Sequence, residues 1–300
     1  MTTRPTSRLR ATLKVIRLHQ WTKNALAVVP VLLAPHGLSA GGLWHAALAA
    51  LALSLCASAG YVLNDVVDVE ADRAHPTKKR RPFAAGDLPV RYGPPLVLAL
   101  LGTSVGVSLW ALPTSFLWML ALYFAITLTY SFYLKSKVLI DVIVLAWLYT
   151  QRVLAGGFAT GVSISAWLLA FSMFIFLSLA FAKRHVELRR AVGEDGKLRS
   201  RGYAAQDLTM VASMGTTAGY LAVLVFCLYI ESSGTAIYSE PRILWLIAPV
   251  LLYWISRVWL LTHRGEMDDD PVKFAITDRW SWLCAVVIGG VAAAARFWPG

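Results

Sequence analysis

Long, continuous apolar runs separated by short polar segments make up most of the chain. A helix of about 20 apolar residues crosses the hydrocarbon core of a bilayer, whereas strands of a membrane barrel would alternate apolar and polar residues. The first run is the shortest and contains Pro30 and Pro35. The pattern predicts an all-α bundle of nine membrane-spanning helices, near residues 20–36, 43–66, 92–112, 115–134, 138–157, 164–184, 207–231, 242–262 and 280–297.

The basic residues predict how this bundle is oriented. If the N-terminus is inside, the cytoplasmic segments hold 25 of the 28 Lys and Arg residues, as expected for inserted helices. Of the others, Arg242 and Arg296 lie at external helix ends, and Arg152 lies inside the fifth span. We therefore expect a multi-pass plasma-membrane protein whose N-terminus and active site face the cytoplasm and whose C-terminus is outside.

Composition agrees with a membrane protein, since 57% of the residues are hydrophobic, 15% are charged and the mean hydropathy is +0.59. Residues 1–23 carry six cations and no apolar core, so a cleavable signal peptide is not expected. The three cysteines are far apart within apolar segments, which argues against disulfides and zinc. Basic residues divided among short loops also argue against nucleic-acid binding. We predict one domain over 1–300, comprising a basic interfacial segment (1–19) and the nine-helix bundle (20–297).

An acidic motif follows the second apolar run. Asp65, Asp68 and Asp72 are spaced i, i+3, i+7, so they share one face of a continuing helix, with Asn64 at its edge. Like charges on one face repel unless a cation binds there, and Mg2+ prefers carboxylate oxygens together with ligand phosphates. The alternative is a solvated helix end whose carboxylates pair with the basic run 78–81. The motif favours a metal-diphosphate site.

The string NDVVDVEAD, after the second of nine predicted helices, resembles the first aspartate-rich motif of the UbiA superfamily of membrane prenyltransferases. The resemblance implies the UbiA fold over essentially the whole chain. It also implies that Asn64, Asp65, Asp68 and Asp72 bind Mg2+ and the diphosphate of a donor, with the three aspartates as metal ligands.

A second aspartate-rich motif is expected after the sixth helix in this superfamily, and the chain has FAKRHVELRR there. This difference, together with RLHQWTKN and HRGEMDDDPVKFAITDR, resembles the decaprenyl-phosphate phosphoribosyltransferase branch. The branch implies transfer of 5-phosphoribosyl from 5-phosphoribosyl diphosphate (PRPP) to a polyprenyl phosphate, for cell-wall arabinan precursors, and it implies a homo-oligomer. An anionic phosphate nucleophile needs little general-base assistance, so catalysis would depend on alignment and on cations that stabilise the leaving group.

Further candidate residues have a structural explanation beside the functional one. Membrane anchoring explains Lys23, Tyr130 and Lys135 as well as substrate binding does. For Arg152, pairing with Asp141 is favoured over binding of a substrate phosphate. An i,i+4 ion pair with Lys183 explains Glu187 about as well as metal or ribose binding does. The acidic run 268–270 is interpreted as a loop cap, and His185 and His263 receive no role. The expected catalytic residues are Asp65, Asp68 and Lys183, and the expected substrate contacts are Lys23, Asn64, Asp72, Lys78, Arg80, Tyr130, Lys135, Arg152, Arg184 and Glu187.

Two other functions stay open on the sequence. One is prenyl transfer from a prenyl diphosphate to an aromatic or other acceptor, against which the missing second motif argues. The other is a lipid-phosphate carrier without chemistry, against which the three-carboxylate face argues.

Overall fold

The computed structural model describes residues 8–34, 38–74, 78–192, 202–232, 238–267 and 270–297. These residues form α-helices and 3-10 helices, and no β-strand occurs among them. The predicted all-α class is confirmed. Eight of the described helical segments are long and apolar enough to cross a membrane: Ala40–Val67, Val90–Ala111, Thr114–Phe132, Ile140–Thr160, Ala166–Arg190, Ala205–Ile230, Pro241–Arg264 and Arg279–Phe297. The chain is a multi-pass membrane protein.

These eight segments coincide with the second to ninth predicted spans. The first predicted span instead folds as a 3-10 helix, Leu18–Val28, followed by a four-residue α-helix, Val29–Leu32, with Pro30 in its first turn. Because a 3-10 helix rises about 2.0 Å per residue, Leu18 to Leu32 reach roughly 28 Å, close to the thickness of the hydrocarbon core. The nine-span topology and its orientation stay predictions.

The chain folds as two compact units, and the predicted single domain stays a prediction. Unit 1 comprises 1–132 and 151–163. Within it, α3 (Ala40–Val67) packs against four elements. These are α1 (Arg8–Ile16), the 3-10 helix Leu18–Val28, α6 (Gly93–Ala111) and α7 (Thr114–Phe132). The buried face of α3 is rich in Ala, Ser and Gly, whose small side chains let neighbouring backbones approach closely. The α-helices of unit 1 are α1 (Arg8–Ile16), α2 (Val29–Leu32), α3 (Ala40–Val67), α4 (Val69–Ala74), α5 (Pro82–Ala85), α6 (Gly93–Ala111), α7 (Thr114–Phe132) and the second half of α8 (Ile140–Thr160).

Unit 2 comprises 133–150 and 164–300. Its most extensive packing is between α9 (Ala166–Val192) and α10 (Leu208–Ile230). Gly215 of α10 leaves room for Trp259 of α11, whose indole Nε1 donates to Ser178 Oγ at 2.9 Å. Ser178 in turn donates to the Gly215 carbonyl at 2.7 Å. The helices are the first half of α8, α9 (Ala166–Val192), α10 (Leu208–Ile230), α11 (Ile247–Arg264), α12 (Pro271–Thr277) and α13 (Arg279–Phe297).

Candidate active site

Two buried aspartates and two arginines form a charged network in unit 1. Asp65 and Asp72 are each 2% exposed. Arg81 Nη1 lies 3.0 Å from Asp65 Oδ1 and 2.7 Å from Asp72 Oδ2, so one nitrogen contacts both carboxylates. Arg17 Nη2 lies 2.7 Å from the same Asp65 oxygen. The two carboxylates that the sequence predicts to converge therefore do so around a cationic group.

The backbone between the aspartates explains this convergence. The α3 helix ends at Val67, and α4 begins at Val69, with Asp68 between them at φ −85° and ψ 8°. The Asp68 N–H still donates to the Asn64 carbonyl at 2.9 Å, and the Asp72 N–H donates to the Asp68 carbonyl at 2.8 Å. Helical bonding thus continues across the break and keeps Asp65 and Asp72 on one side. The Asp68 carboxylate accepts from the Asn64 side-chain amide at 3.0 Å.

The N-terminal segment positions Arg17 beside the Asp65 carboxylate. Arg17 joins α1 to the first 3-10 helix in the left-handed conformation, at φ 57° and ψ 51°, which costs a non-glycine residue roughly 1–2 kcal/mol. Trp21 Nε1 donates to Ser58 Oγ at 3.0 Å, and Ser58 donates to the Ile16 carbonyl at 2.8 Å. These bonds hold the turn against α3, and the Arg17 guanidinium lies 4.8 Å from the centre of the Tyr61 ring.

A turn over residues 78–82 positions Arg81 in the network. A 3-10 helix covers Lys78–Arg80, and Pro82 starts α5 with a φ suited to a first helical turn. Lys14 Nζ donates to the Arg80 carbonyl at 3.2 Å, and Phe83 is buried in the core beside α3. The turn is therefore fixed on both sides of Arg81.

Sequence reasoning missed Arg17, and it considered Arg81 only within the basic run 78–81 that the alternative interpretation pairs with the carboxylates. Both read as ordinary cations of cytoplasmic segments, which this membrane protein has in excess. The signal for Arg81 is its position before Pro82, at the end of the basic run. The signal for Arg17 is weaker, since only its nearness to Trp21 distinguishes it.

The donor set can be tested against the metal that the motif implies. Within the described residues, no group of three or more His, Cys, Asp or Glu side chains is placed to hold a metal ion together. Asp65 and Asp72 nevertheless present two buried carboxylates within 3.0 Å of one cationic nitrogen. Such oxygens are the ligands that Mg2+ takes when waters and phosphates complete its shell. These two residues fit the metal, whereas Asp68 is bonded to Asn64 in this structure.

A second polar layer lies deeper in unit 1. Arg152 is 6% exposed, and its Nε donates to Asn24 Oδ1 and its Nη2 to Tyr123 OH, both at 2.8 Å. Asn24 Nδ2 donates to Ser54 Oγ at 2.9 Å. The predicted pairing of Arg152 with Asp141 is wrong. The two residues lie eleven positions apart in α8, roughly 16 Å along the axis.

The other predicted residues of unit 1 have separate positions. Lys23 is buried on the 3-10 helix Leu18–Val28. Tyr130 is half-buried near the end of α7, Lys78 is half-buried, and Arg80 is exposed.

Arg184 has a different place from the one predicted. It is fully buried in unit 2, where its Nη2 lies 2.7 Å from Asp141 Oδ2 in an ion pair that lacks hydrogen-bond alignment. Its Nη1 bonds to Glu187, three residues along α9. The role of Arg184 in phosphate binding stays a prediction, and in this structure the guanidinium is neutralised by these two carboxylates.

Tyr203 completes this buried group. Its hydroxyl donates to Asp141 Oδ1 at 2.8 Å and accepts from the Leu139 N–H at 3.0 Å. Leu139 has a φ of 66°, which is unfavourable for a side chain with a Cβ. Burial, together with the Asp141 carboxylate, raises the pKa of Tyr203, so the phenol stays protonated and keeps its donor. The group fixes the turn that precedes α8.

Three predictions fall elsewhere in unit 2. Lys135, on the 3-10 helix Leu134–Ser136, and Lys183, on α9, are both half-buried. Asp270 caps α12, accepting from the Val272 N–H at 3.1 Å, as predicted for the acidic run. Residues 268 and 269 lie outside the described residues.

Relatives of the chain are similar over most of its length. "Nodulation protein NoeC" of Azorhizobium caulinodans is 37% identical, covering 89% of this chain and 87% of that protein. "Decaprenyl-phosphate phosphoribosyltransferase" of Mycobacterium tuberculosis is 32% identical, covering 98% and 97%. "Uncharacterized protein y4nM" of Sinorhizobium fredii is 38% identical over 92% of this chain, which spans about half (54%) of that longer protein.

The fold has neighbours among solved structures. A UbiA homolog from Archaeoglobus fulgidus bound to DMAPP and Mg2+ superposes with a TM-score of 0.68 at 15% identity, covering 96% of this chain and 99% of that one. The sequence also matches the UbiA prenyltransferase family over residues 25–283. This chain belongs to the UbiA prenyltransferase family and is an enzyme of that superfamily, as the NDVVDVEAD motif indicates.

Proposed function

We propose that the protein transfers the 5-phosphoribosyl group of PRPP to a polyprenyl phosphate similar to decaprenyl phosphate, and releases diphosphate. A relative named for this activity matches 98% of the chain at 32% identity, and another, from Mycolicibacterium smegmatis, matches 98% at 34%. The lipid product would feed the synthesis of cell-wall arabinan. The enzyme would act at the cytoplasmic face of the plasma membrane.

The observation that carries the proposal is the pair of buried carboxylates, Asp65 and Asp72, held on Arg81 and Arg17. Buried carboxylates of this kind are a ready binding place for a hard divalent cation. Bound there, Mg2+ would neutralise negative charge on the departing diphosphate. Asp65 and Asp72 would hold it, with Asp68 and Asn64 as further oxygen donors after their mutual hydrogen bond opens.

The arginines have a second role in this proposal. Guanidinium groups bind phosphate oxygens in a fork of parallel hydrogen bonds. If the carboxylates held Mg2+, Arg17 and Arg81 would be available to the diphosphate beside it. Lys23, Lys78 and Arg80 of the same unit are further candidates for donor contacts, and Lys135 and Lys183 keep the phosphate-binding roles proposed from the sequence.

The chemistry is a substitution at ribose C1. An oxygen of the acceptor phosphate forms a bond to C1 as the bond from C1 to the diphosphate oxygen breaks, through an oxocarbenium-like state. The acceptor is already an anion, so no protein base has to remove a proton. The chain's residues contribute by aligning the two phosphates and by stabilising the charge that leaves.

A donor competition tests the proposal. Purified protein in detergent with Mg2+ and polyprenyl phosphate receives labelled PRPP or a labelled prenyl diphosphate with an aromatic acceptor. We expect label in the lipid phosphate only from PRPP, and its loss in Asp65→Asn and Asp72→Asn. Glu70→Gln is the matched control, because Glu70 is an exposed carboxylate of α4 that pairs with Arg73.

The alternatives predict different results. Turnover of the prenyl diphosphate without turnover of PRPP would return the protein to ordinary prenyl transfer. Movement of polyprenyl phosphate across sealed vesicles without any donor would instead support a carrier. Either result would contradict the proposal.

A further inference from the structure

A cavity lined by arginines lies in unit 2, and none of its lining residues belongs to the acidic motif or to the buried ion pairs. Its volume is about 300 Å³, and it opens where the C-terminal ends of α9 and α11 meet the turn that follows α11. The residues that line it are Val186, Arg189, Arg190, Thr262, Arg264, Gly265 and Met267.

The turn that closes this cavity is well defined. Gly265 has a φ of 77° and ends α11 in the left-handed conformation, and the Glu266 N–H donates to the Leu261 carbonyl at 3.0 Å. A Cβ at Gly265 would lie 3.3 Å from Arg189 Cζ, so a side chain there would push against the guanidinium. Thr262 is fully buried and donates to the Val258 carbonyl at 2.8 Å. The walls are therefore held in place by backbone and buried groups.

The charge on the walls is one-sided. Among the residues that the structure describes, Arg189 and Arg264 form no ion pair. The carboxylate of Glu187, on the same helix, is bonded to Arg184. The helix C-termini attract cations, with an effect equivalent to about half a charge at each end. The two positive charges of Arg189 and Arg264 exceed that attraction, so an anion in the cavity would relieve their repulsion.

A phosphate group matches these walls chemically. Guanidinium donors are fixed in a plane and pair with phosphate oxygens in a bidentate way. The cavity is large enough for a phosphate with its hydration. Basic pockets between membrane helices also accept anionic headgroups when they lie at the cytoplasmic surface, and the charge distribution predicts that face for these helix ends.

We propose that this cavity binds a phosphate group, carried either by an anionic phospholipid headgroup or by a soluble phosphate compound. The inference is independent of the proposed transferase activity, because it rests on the cavity and its arginines alone. It assigns a ligand to residues that neither the aspartate-rich motif nor the buried network includes.

The test compares two double variants with the same loss of charge. Arg189→Gln/Arg264→Gln removes two arginines of the cavity. Arg8→Gln/Arg91→Gln removes two exposed arginines of unit 1 that stack near the Tyr92 ring. Thermal unfolding is followed in detergent against inorganic phosphate, and lipid retention is followed by native mass spectrometry after exchange from phosphatidylglycerol or phosphatidylcholine nanodiscs.

Phosphate should stabilise the wild type and Arg8→Gln/Arg91→Gln. A phosphate affinity that is about tenfold or more weaker in the cavity variant would support a soluble ligand. Retention of phosphatidylglycerol with the same dependence would support a lipid headgroup. Equal phosphate response and equal lipid retention in all three proteins would overturn the proposal. If the cavity double variant does not fold, the single variants Arg189→Gln and Arg264→Gln replace it, and wild-type phosphate response and lipid retention in both would likewise contradict the proposal.

Discussion

Replacing Arg81 with glutamine tests the buried network directly. The change removes contacts of 3.0 Å to Asp65 and 2.7 Å to Asp72, while Arg17 still pairs with Asp65. Leaving a buried charge without its partner costs about 3–5 kcal/mol. Because the Arg81 side chain is 25% exposed, solvent screening reduces this to roughly 2–4 kcal/mol. We expect the thermal midpoint in detergent with EDTA to fall by roughly 4–10 °C.

Added Mg2+ gives the sharper readout. If Mg2+ binds Asp65 and Asp72 as proposed, it would have to displace Arg81 from the carboxylates in the wild type, whereas in Arg81→Gln the carboxylates are already without Arg81. The Mg2+-induced rise in the midpoint should therefore be larger in Arg81→Gln than in the wild type, and small in Arg81→Gln/Asp72→Asn. A double-mutant cycle should give a coupling on the order of 1–3 kcal/mol between Arg81 and Asp72. Additive effects of the two substitutions, with equal Mg2+ responses, would refute this reasoning.

Three further substitutions test the packing and polar contacts. In Gly156→Ala, the new Cβ would overlap the Ala27 carbonyl, and we expect a loss of about 1–3 kcal/mol and a lower folded yield by size-exclusion chromatography. In Tyr203→Phe, loss of the bonds to Asp141 and the Leu139 N–H should cost about 1–3 kcal/mol, measured as the midpoint of thermal unfolding. In Asp278→Asn, loss of the 2.7 and 3.0 Å bonds from Arg257 should also lower the midpoint at neutral pH.

The controls for these substitutions lie in the same chain. Gly102→Ala should be neutral or stabilising, since nothing lies within 4 Å of its Cβ in α6. Tyr220→Phe, which removes an exposed hydroxyl beside Ser256, should change the midpoint little. A Gly156→Ala protein as stable as Gly102→Ala, or a Tyr203→Phe protein as stable as Tyr220→Phe, would contradict the packing described.

The pH dependence of Asp278 follows from its surroundings. Burial raises the pKa of Asp278, but the hydrogen bonds from Arg257 and Ser281 lower it by more. The pKa of Asp278 therefore lies below the ordinary value of 3.8. A lowered pKa in the folded state stabilises the protein above 3.8, and the stabilisation is lost as the pH falls through the folded pKa. The advantage of the wild type over Asp278→Asn should stay constant from pH 7 to pH 5 and shrink below about 3.8. An advantage that shrinks already between pH 7 and pH 5 would contradict this.

The sequence predicts the helices well because the bilayer imposes their length. Eight predicted spans coincide with eight helical segments, and continuous helical bonding explains why the i, i+7 spacing places Asp65 and Asp72 together. The first predicted span stays a prediction, because Leu18–Val28 folds as a 3-10 helix and Val29–Leu32 as a short α-helix that contains Pro30, rather than as one long α-helix.

Ion-pair partners could not be predicted in the same way. Arg17 lies 48 residues from Asp65, and Arg184 lies 43 residues from Asp141, so local periodicity carries no information about either pair. The chain has 28 Lys and Arg residues, most of them in predicted cytoplasmic segments. Composition therefore does not distinguish an arginine that pairs with a buried carboxylate from one that only sets the membrane orientation. Tertiary packing decides these partners, and it places Arg184 beside Asp141 in the interior of unit 2.

The central claim is that PRPP supplies the group that this enzyme transfers. The most direct measurement is mass spectrometry of the lipid extract after incubation with polyprenyl phosphate, Mg2+ and PRPP carrying five ¹³C atoms in its ribose, with released diphosphate quantified in parallel. We expect a labelled phosphoribosyl lipid and one diphosphate per lipid formed, both absent in Asp65→Asn and present in Glu70→Gln. An active preparation that forms a prenylated acceptor from a prenyl diphosphate and leaves PRPP intact would contradict it.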